Sequence, residues 1–245
     1  MLTLDERKVR KGKPVGLPYQ GSKKKISKKI VEIIKQNFGT DKPIYDIFGG
    51  GGAITAECLI NGLEVYYNDL DRTITDMFQR VLVTDREFLK TLIISRDEFL
   101  KIRDKENKMV DDELKLLVNS FGNNRETYLY SEEFSDLKYN LAIEIIKNHD
   151  TFDGYRKTDT YKNANRQFDI EKEKKNQASQ QLSRLQQLSR LQQLQQLQQL
   201  ERLQQLERLL EATNLDYTEF FGVENAIFIF RPALRKRHIK GIFNR

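Results

Sequence analysis

The 245-residue sequence predicts an α/β protein built on the N-terminal half of a doubly wound parallel sheet. Three observations carry that expectation. Pro43-Ile44-Tyr45-Asp46-Ile47-Phe48 reads as a short strand and runs straight into four glycines, Gly49 to Gly52. Ala53 to Ile60 follows at helical spacing and is stopped by Asn61-Gly62. Leu63-Glu64-Val65-Tyr66-Tyr67 reads as a second strand, closed by the acidic turn Asn68-Asp69-Leu70-Asp71, and another helix begins near Thr73. Strand, glycine turn, helix, strand, acidic turn, helix is the order in which such a sheet is wound.

The flanking elements come from the same reading. Residues 1–17 are basic and carry Gly12, Pro14 and Gly16, which predicts a mobile arm. Between Lys23 and Phe38, Ile26, Ile30, Ile33 and Ile34 recur at helical spacing, with Gly39 placed to end the helix. Asp85 to His149 is charged and mostly helical in pattern, interrupted by the polar, aromatic insert NSFGNNRETYLYS, Asn119 to Ser131. Lys172 to Gln181 reads as a polar linker. Residues 212–230 return to ordinary globular text and end on the apolar strand Ile227-Phe228-Ile229-Phe230.

Ten leucines from Leu182 to Leu209 stand at every third residue, separated by Gln-Gln, Ser-Arg or Glu-Arg. On an α-helix this spacing carries each leucine about 60° backwards, so the side chains circle the axis. A coiled-coil seam needs a repeat of about 3.5, and no single partner covers such a spiral. The tract therefore predicts a spacer over 176–211 that arose by repeat expansion, with an oligomerisation element as its rival.

The formal charge is +6, with lysine and arginine crowding Arg7 to Lys29 and Arg231 to Lys240. Such clusters suit a polyanion or a solvated surface equally. The single cysteine, Cys58, excludes an internal disulfide framework and a cysteine-built zinc site. No run approaches the roughly 18–20 apolar residues of a bilayer span, and the N-terminus carries no apolar signal core. The expectation is a soluble cytoplasmic protein without a metal.

A glycine turn after a first strand lets backbone approach a ligand, and an acid about twenty residues on, Asp69, suits a ribose. The turn lacks the G-x-G-x-x-G spacing, which favours an adenosine ligand other than a nicotinamide dinucleotide. Upstream, PYQGSK (Pro18 to Lys23) sets an aromatic and a lysine around a Gly-Ser turn before a helix. That lysine suits a carboxylate, and the tyrosine could pack on an aliphatic or sulfonium segment.

PYQGSK, YDIFGGGGAI and YYNDLD, in this order and spacing, resemble the Dam-like (D12 class) DNA adenine-N6 methyltransferases, phage-type members especially. The resemblance is strong over about 17–75 and looser through NSFGNNRETYLYS, NLDYTEFF and the last strand. It implies a Rossmann-like methyltransferase sheet over 18–84 that binds S-adenosylmethionine, with an inserted, mainly helical target-recognition domain at 85–175. Tyr19 and Lys23 would contact the cofactor, Lys23 through its carboxylate. Asp46, Phe48 and Gly50 would shape the pocket, and Asp69 would hold the ribose hydroxyls. Asn123, Asn124, Arg125 and Tyr128 would contact double-stranded DNA.

In that family the fourth strand ends in Asp-Pro-Pro-Tyr, whose carboxylate accepts the adenine amino hydrogens while the ring stacks on the flipped base. After Phe230 this sequence reads Arg231-Pro232-Ala233-Leu234, and arginine accepts no hydrogen bond. One spelling of Arg231 to Arg235, AGA-CCC-GCC-TTA-CGN, read one base later gives Asp-Pro-Pro-Tyr. The expectation is a gene frameshifted before its catalytic motif, an aberrant basic tail at 231–245, a sheet lacking its C-terminal part, and no turnover. Two rivals stay open: a DNA-binding module without catalysis, and another nucleotide-binding α/β protein.

Overall fold

A computed structural model describes residues 2–174, 191–206 and 212–230. The first helix, α1 (Ser27–Phe38), begins later than the isoleucine pattern suggests, because Lys23 to Ile26 form a turn in which the Lys23 carbonyl accepts from both Ile26 and Ser27. Gly39, at φ +84°, ends it. β1 (Ile44–Asp46), α2 (Ala53–Ile60), β2 (Val65–Asn68) and α3 (Arg72–Leu82) come next, in the expected order. Asp71 caps α3, accepting from the Thr73 and Ile74 amides at 3.0 and 3.4 Å.

α4 (Arg86–Lys90), α5 (Arg96–Arg103), α6 (Val110–Asn119), α7 (Glu132–His149), α8 (Asp159–Lys174) and α9 (Gln192–Gln204) precede the last two strands, β3 (Ala212–Thr213) and β4 (Ile227–Ile229). The strands form one parallel sheet in the order β3-β2-β1-β4. β2 and β3 lie on one side of β1 and β4 on the other, so the winding reverses between β1 and β4. In open α/β sheets, ligands bind in the crevice at the carboxyl ends of the strands at that reversal. Asp46, the last residue of β1, pairs with Ile229, the last residue of β4.

One face of the sheet packs Ile44, Val65, Ile227 and Ile229 against Val31, Ile34, Ile54 and Cys58 from α1 and α2. The other carries a row of rings. Tyr45 stacks between Tyr66 at 4.7 Å and Phe228 at 5.4 Å, and Phe220 meets Tyr45 edge-on at 5.8 Å.

The described part of the leucine tract is not a spacer. Leu191, Leu194, Leu197, Leu200 and Leu203 are all fully buried, in one cluster with Phe78, Val81, Leu89, Leu114, Leu117 and Ile145. Four steps of the repeat turn through about 240°, so a single flat partner could not cover them. Here α3, α4 and α6 enclose α9 from more than one side, and a spiral of leucines is what an enclosed helix needs. Residues 182–190 and 207–209 lie outside the described residues.

The expected mobile arm is also tied down. The Arg10 guanidinium forms a two-pronged pair with Glu57 of α2, 2.7 Å on each side, and Glu57 is 1% exposed. Asn37 bonds the backbone of Thr3, and Val15 and Leu17 are buried. Charge composition predicted an arm in solvent. A buried carboxylate on α2 required a cation over it.

Candidate active site at the carboxyl ends of the strands

The glycine turn is shaped from both sides. A Cβ on Gly52, whose φ is +67°, would stand 2.1 Å from the Phe78 ring, and one on Gly49 would stand 2.1 Å from the Tyr67 ring. Tyr67 and Phe78 stack at 4.6 Å beneath the turn, so these glycines answer to packing. The outer pair answers to Tyr19: a Cβ on Gly51 would lie 2.8 Å from the Tyr19 Cβ, and one on Gly50 would lie 3.3 Å from its Cε1. The Leu17 amide donates to the Gly51 carbonyl at 2.8 Å and the Tyr67 hydroxyl to that of Gly50 at 2.7 Å. Tyr19 thus lies against the turn.

Asp69 joins the two turns. Its Oδ2 accepts from the Gly50 amide at 2.7 Å and its Oδ1 from the Asp71 amide at 2.9 Å. Each carboxylate oxygen has a further lone pair. Burial raises the Tyr19 hydroxyl above the usual phenol range, the charges of Asp69 and Asp71 push it further, and Arg125 opposes them. Tyr19 therefore stays a neutral hydrogen-bond donor.

The other expected cofactor residues differ in how they meet the site. Asp46 is fully buried, and its Oδ2 accepts from the Thr55 hydroxyl at 2.8 Å and amide at 3.3 Å, which fixes the first turn of α2. Phe48 is half-buried, with its ring 6.3 Å from that of Tyr217. The Lys23 ammonium donates to the Gly21 carbonyl of its own loop at 3.3 Å. Its neighbour Lys24 reaches further: its largely buried ammonium donates to Gln199 of α9. Burial, with the Arg202 charge adding, lowers Lys24 to about 8.

In the 119–131 insert the expected DNA contacts first of all build the loop. Asn123, at φ +58°, donates to the Leu117 carbonyl at 3.0 Å, and the Asn124 carbonyl oxygen accepts from Glu126 and Thr127 at 2.9 and 3.0 Å. The Arg125 guanidinium pairs with Glu113 at 2.8 Å. Tyr128 does not fit the expected role. It is 5% exposed, donates to the Ile94 carbonyl at 3.1 Å and meets Phe99 edge-on at 5.3 Å. The ring entered the core because its hydroxyl found a backbone acceptor there, and in that position it cannot stack on a base. Arg231, Pro232, Ala233 and Leu234 lie outside the described residues.

Asn68 was not singled out in the sequence, yet it holds the site's far wall. Its amide donates to the Ile47 and Leu215 carbonyls, both at 3.0 Å, and its oxygen accepts from the Leu215 amide at 2.8 Å and the Thr213 hydroxyl at 2.7 Å. Asn214 adds bonds to the Asp69 carbonyl at 2.9 Å and the Thr75 hydroxyl at 2.7 Å. Together they pin the segment that brings Tyr217 to Phe48. The available signal was position: an amide at the end of β2, directly before the acid that follows it.

A family model for the D12 class N6 adenine-specific DNA methyltransferases matches residues 19–208. The chain belongs to that family. No curated protein and no solved structure matches it. The matched span takes in Tyr19, the glycine turn, Asp69, the 119–131 insert and α9, so the leucine tract up to residue 208 lies inside the methyltransferase homology. The family implies S-adenosylmethionine as methyl donor and duplex DNA as substrate. The chemistry at the turn fits that cofactor: an aromatic ring beside side-chain-free backbone, and a carboxylate able to accept from a ribose diol. Among the described residues no His, Cys, Asp and Glu cluster could hold a metal, and no helix is long and apolar enough to cross a membrane.

Proposed function

We propose that this family member binds S-adenosylmethionine at the crevice between β1 and β4, recognises a specific site in duplex DNA, and does not complete methyl transfer with the sequence it has. The observation that carries the binding half is the Asp69 carboxylate clasping the Gly50 and Asp71 amides beside Tyr19. Asp69 accepts the ribose hydroxyls with its remaining lone pairs. Lys23 turns from its own loop to the methionine carboxylate, Tyr19 packs against the methionine segment, and Phe48 lines the pocket. Asp46 acts from behind, holding α2 and hence the glycine turn in place. The bound cofactor supplies an electrophilic methyl on sulfonium.

Arg125 is the residue of the insert best suited to DNA, since it needs only to exchange Glu113 for a phosphate or a base edge. Asn123 and Asn124 set its backbone. The proposal of no turnover rests on sequence and register together. β4 pairs with β1 up to Ile229, and Arg231 comes directly after Phe230. Adenine N6 attack requires an acceptor for the amino hydrogens, and a guanidinium only donates. A frameshift before codon 231 accounts for that residue, and sequencing the locus checks it.

Two measurements test the proposal separately. Calorimetric titration should show S-adenosylmethionine binding that S-adenosylhomocysteine displaces and ATP does not; no binding would remove the assigned site. Labelled methyl transferred to duplex DNA would overturn the loss of turnover while leaving the site intact.

A further inference from the structure

The leucines of α9 are interchangeable, but its polar residues are not. Moving the chain through the helix by three residues puts each leucine into its neighbour's place, so burial alone does not choose between registers. We propose that the pocket enclosing α9 is a register slot: it accepts any window of the leucine repeat, and a few polar side chains select the one observed.

At the N-terminal end the selector is Gln193, fully buried, whose amide donates to Asn119 Oδ1 at 2.6 Å and to the Ile94 carbonyl at 3.2 Å. A slip that advances earlier residues by one unit brings Arg190 to this place, burying a guanidinium charge. At the other end Glu201 pairs with Arg86, Arg202 lies 3.9 Å from Asp153, and the Gln204 amide donates to the Thr84 and Asp85 carbonyls at 3.0 and 2.8 Å. The opposite slip replaces Glu201 by Gln204 and Arg202 by Gln205, and sets Glu207 against those two carbonyls. It also brings Arg202 to the place of Gln199, facing the desolvated Lys24 ammonium. Each three-residue slip is therefore blocked by a charge, while the leucines are indifferent to it. Through Lys24 the register also reaches the loop that carries Tyr19 and Lys23.

The test removes the selecting charges and reads the register by disulfide formation in the full-length chain. Thr84→Cys with Gln204→Cys reports the observed register, and Thr84→Cys with Glu207→Cys reports the slipped one; the native Cys58 is buried and does not compete. With Glu201 and Arg202 intact, oxidation should close only the 84–204 pair. Adding Glu201→Gln and Arg202→Gln makes the tract nearly uniform, and the 84–207 pair should then close in a yield comparable to 84–204. The inference is overturned if 84–207 stays open in that background while 84–204 closes, or if 84–207 closes equally with the charges present. Loss of both disulfides in the uniform tract overturns it too, because the slot would then not hold a pure Leu-Gln-Gln helix.

Discussion

Alanine at Gly52 and alanine at Gly50 should separate the packing role of the glycine turn from its role toward a ligand. Both residues sit in the left-handed region, at φ +67° and +51°, so either alanine costs about 1–2 kcal/mol in the backbone. At Gly52 the new methyl would stand 2.1 Å from Cε2 and 2.6 Å from Cζ of Phe78. That ring is fully buried and stacked on Tyr67 at 4.6 Å, so overpacking adds about 1–3 kcal/mol. The sum, about 2–5 kcal/mol, is large against a usual total of about 5–15 kcal/mol. At about 2–4 °C per kcal/mol for a chain of this size, the melting temperature should fall by roughly 10 °C. At Gly50 the methyl meets the edge of the half-buried Tyr19 ring, 3.3 Å from Cε1 and 3.7 Å from Cδ1, and that ring can move. Gly50→Ala should therefore melt only a few degrees low, yet lose about tenfold or more in S-adenosylmethionine affinity, since about 1.4 kcal/mol is tenfold. Thermal melts by circular dichroism and calorimetric titration read the two effects. Equal destabilisation by both alanines, or unchanged affinity in Gly50→Ala, would refute the division of labour.

Other predictions concern charge. Arg10→Met leaves Glu57 buried without its cation and should cost about 2–4 kcal/mol in a denaturant melt; the double variant with Glu57→Leu should recover most of it. Burial holds both Lys24 and Lys138 at about 8, below the ordinary lysine value, so between pH 8 and about 10.5 the unfolded chain binds more protons than the folded one. Stability should rise with pH across that window and be flat below it as far as these groups are concerned, and Lys24→Met with Lys138→Met should remove the rise. Asp69→Asn offers one amide nitrogen where an oxygen accepted, leaving the Gly50 or Asp71 amide unpaired at about 1–3 kcal/mol. S-adenosylmethionine affinity should fall by at least about tenfold, whereas Asp71→Asn, at the cap of α3, should affect the melt alone.

How much of this was legible in the sequence depended on whether the deciding partner was local. α2 runs from Ala53 to Ile60 as its punctuation implies, because the glycine run and Asn61-Gly62 bound it from within a few residues. β1, β2 and β4 were visible for the same reason. The leucine tract was misread because periodicity shows which way side chains point, not how many neighbours enclose them. Five leucines on a spiral are incompatible with one partner and required by several. The arm was misread because its fate was set by Glu57, 47 residues away from Arg10. Tyr128 and Asn68 exchanged importance likewise: one lies in polar text but points inward to Ile94, and the other sits in an acidic turn but bonds to Leu215, 147 residues on. Non-local hydrogen bonds leave no period.

On the proposed reading, the sheet order is what lets cofactor binding and turnover separate in this chain. The residues assigned to the cofactor lie before β1, at its end and just after it, and after β2, within a stretch of the chain running from Tyr19 to Asp69. They are held by each other: Tyr19 against the turn, the turn to Asp69, and Asp69 to Asp71. None of these contacts passes through β4. In the proposed reading the chemistry of amino-group attack depends instead on the residues just past β4, a strand that pairs with β1 through Ile227 to Ile229 against Ile44 to Asp46. A change after Phe230 would then replace the reacting group without touching the clasp proposed to hold S-adenosylmethionine. Restoring Asp-Pro-Pro-Tyr at 231–234 in the full-length chain should then leave cofactor affinity within about twofold, because no assigned contact moves. Any methyl transfer that appears must come from the restored acceptor. A large gain in cofactor affinity on restoration would mean instead that residues past β4 complete the cofactor site, and that the clasp alone is not the binding site.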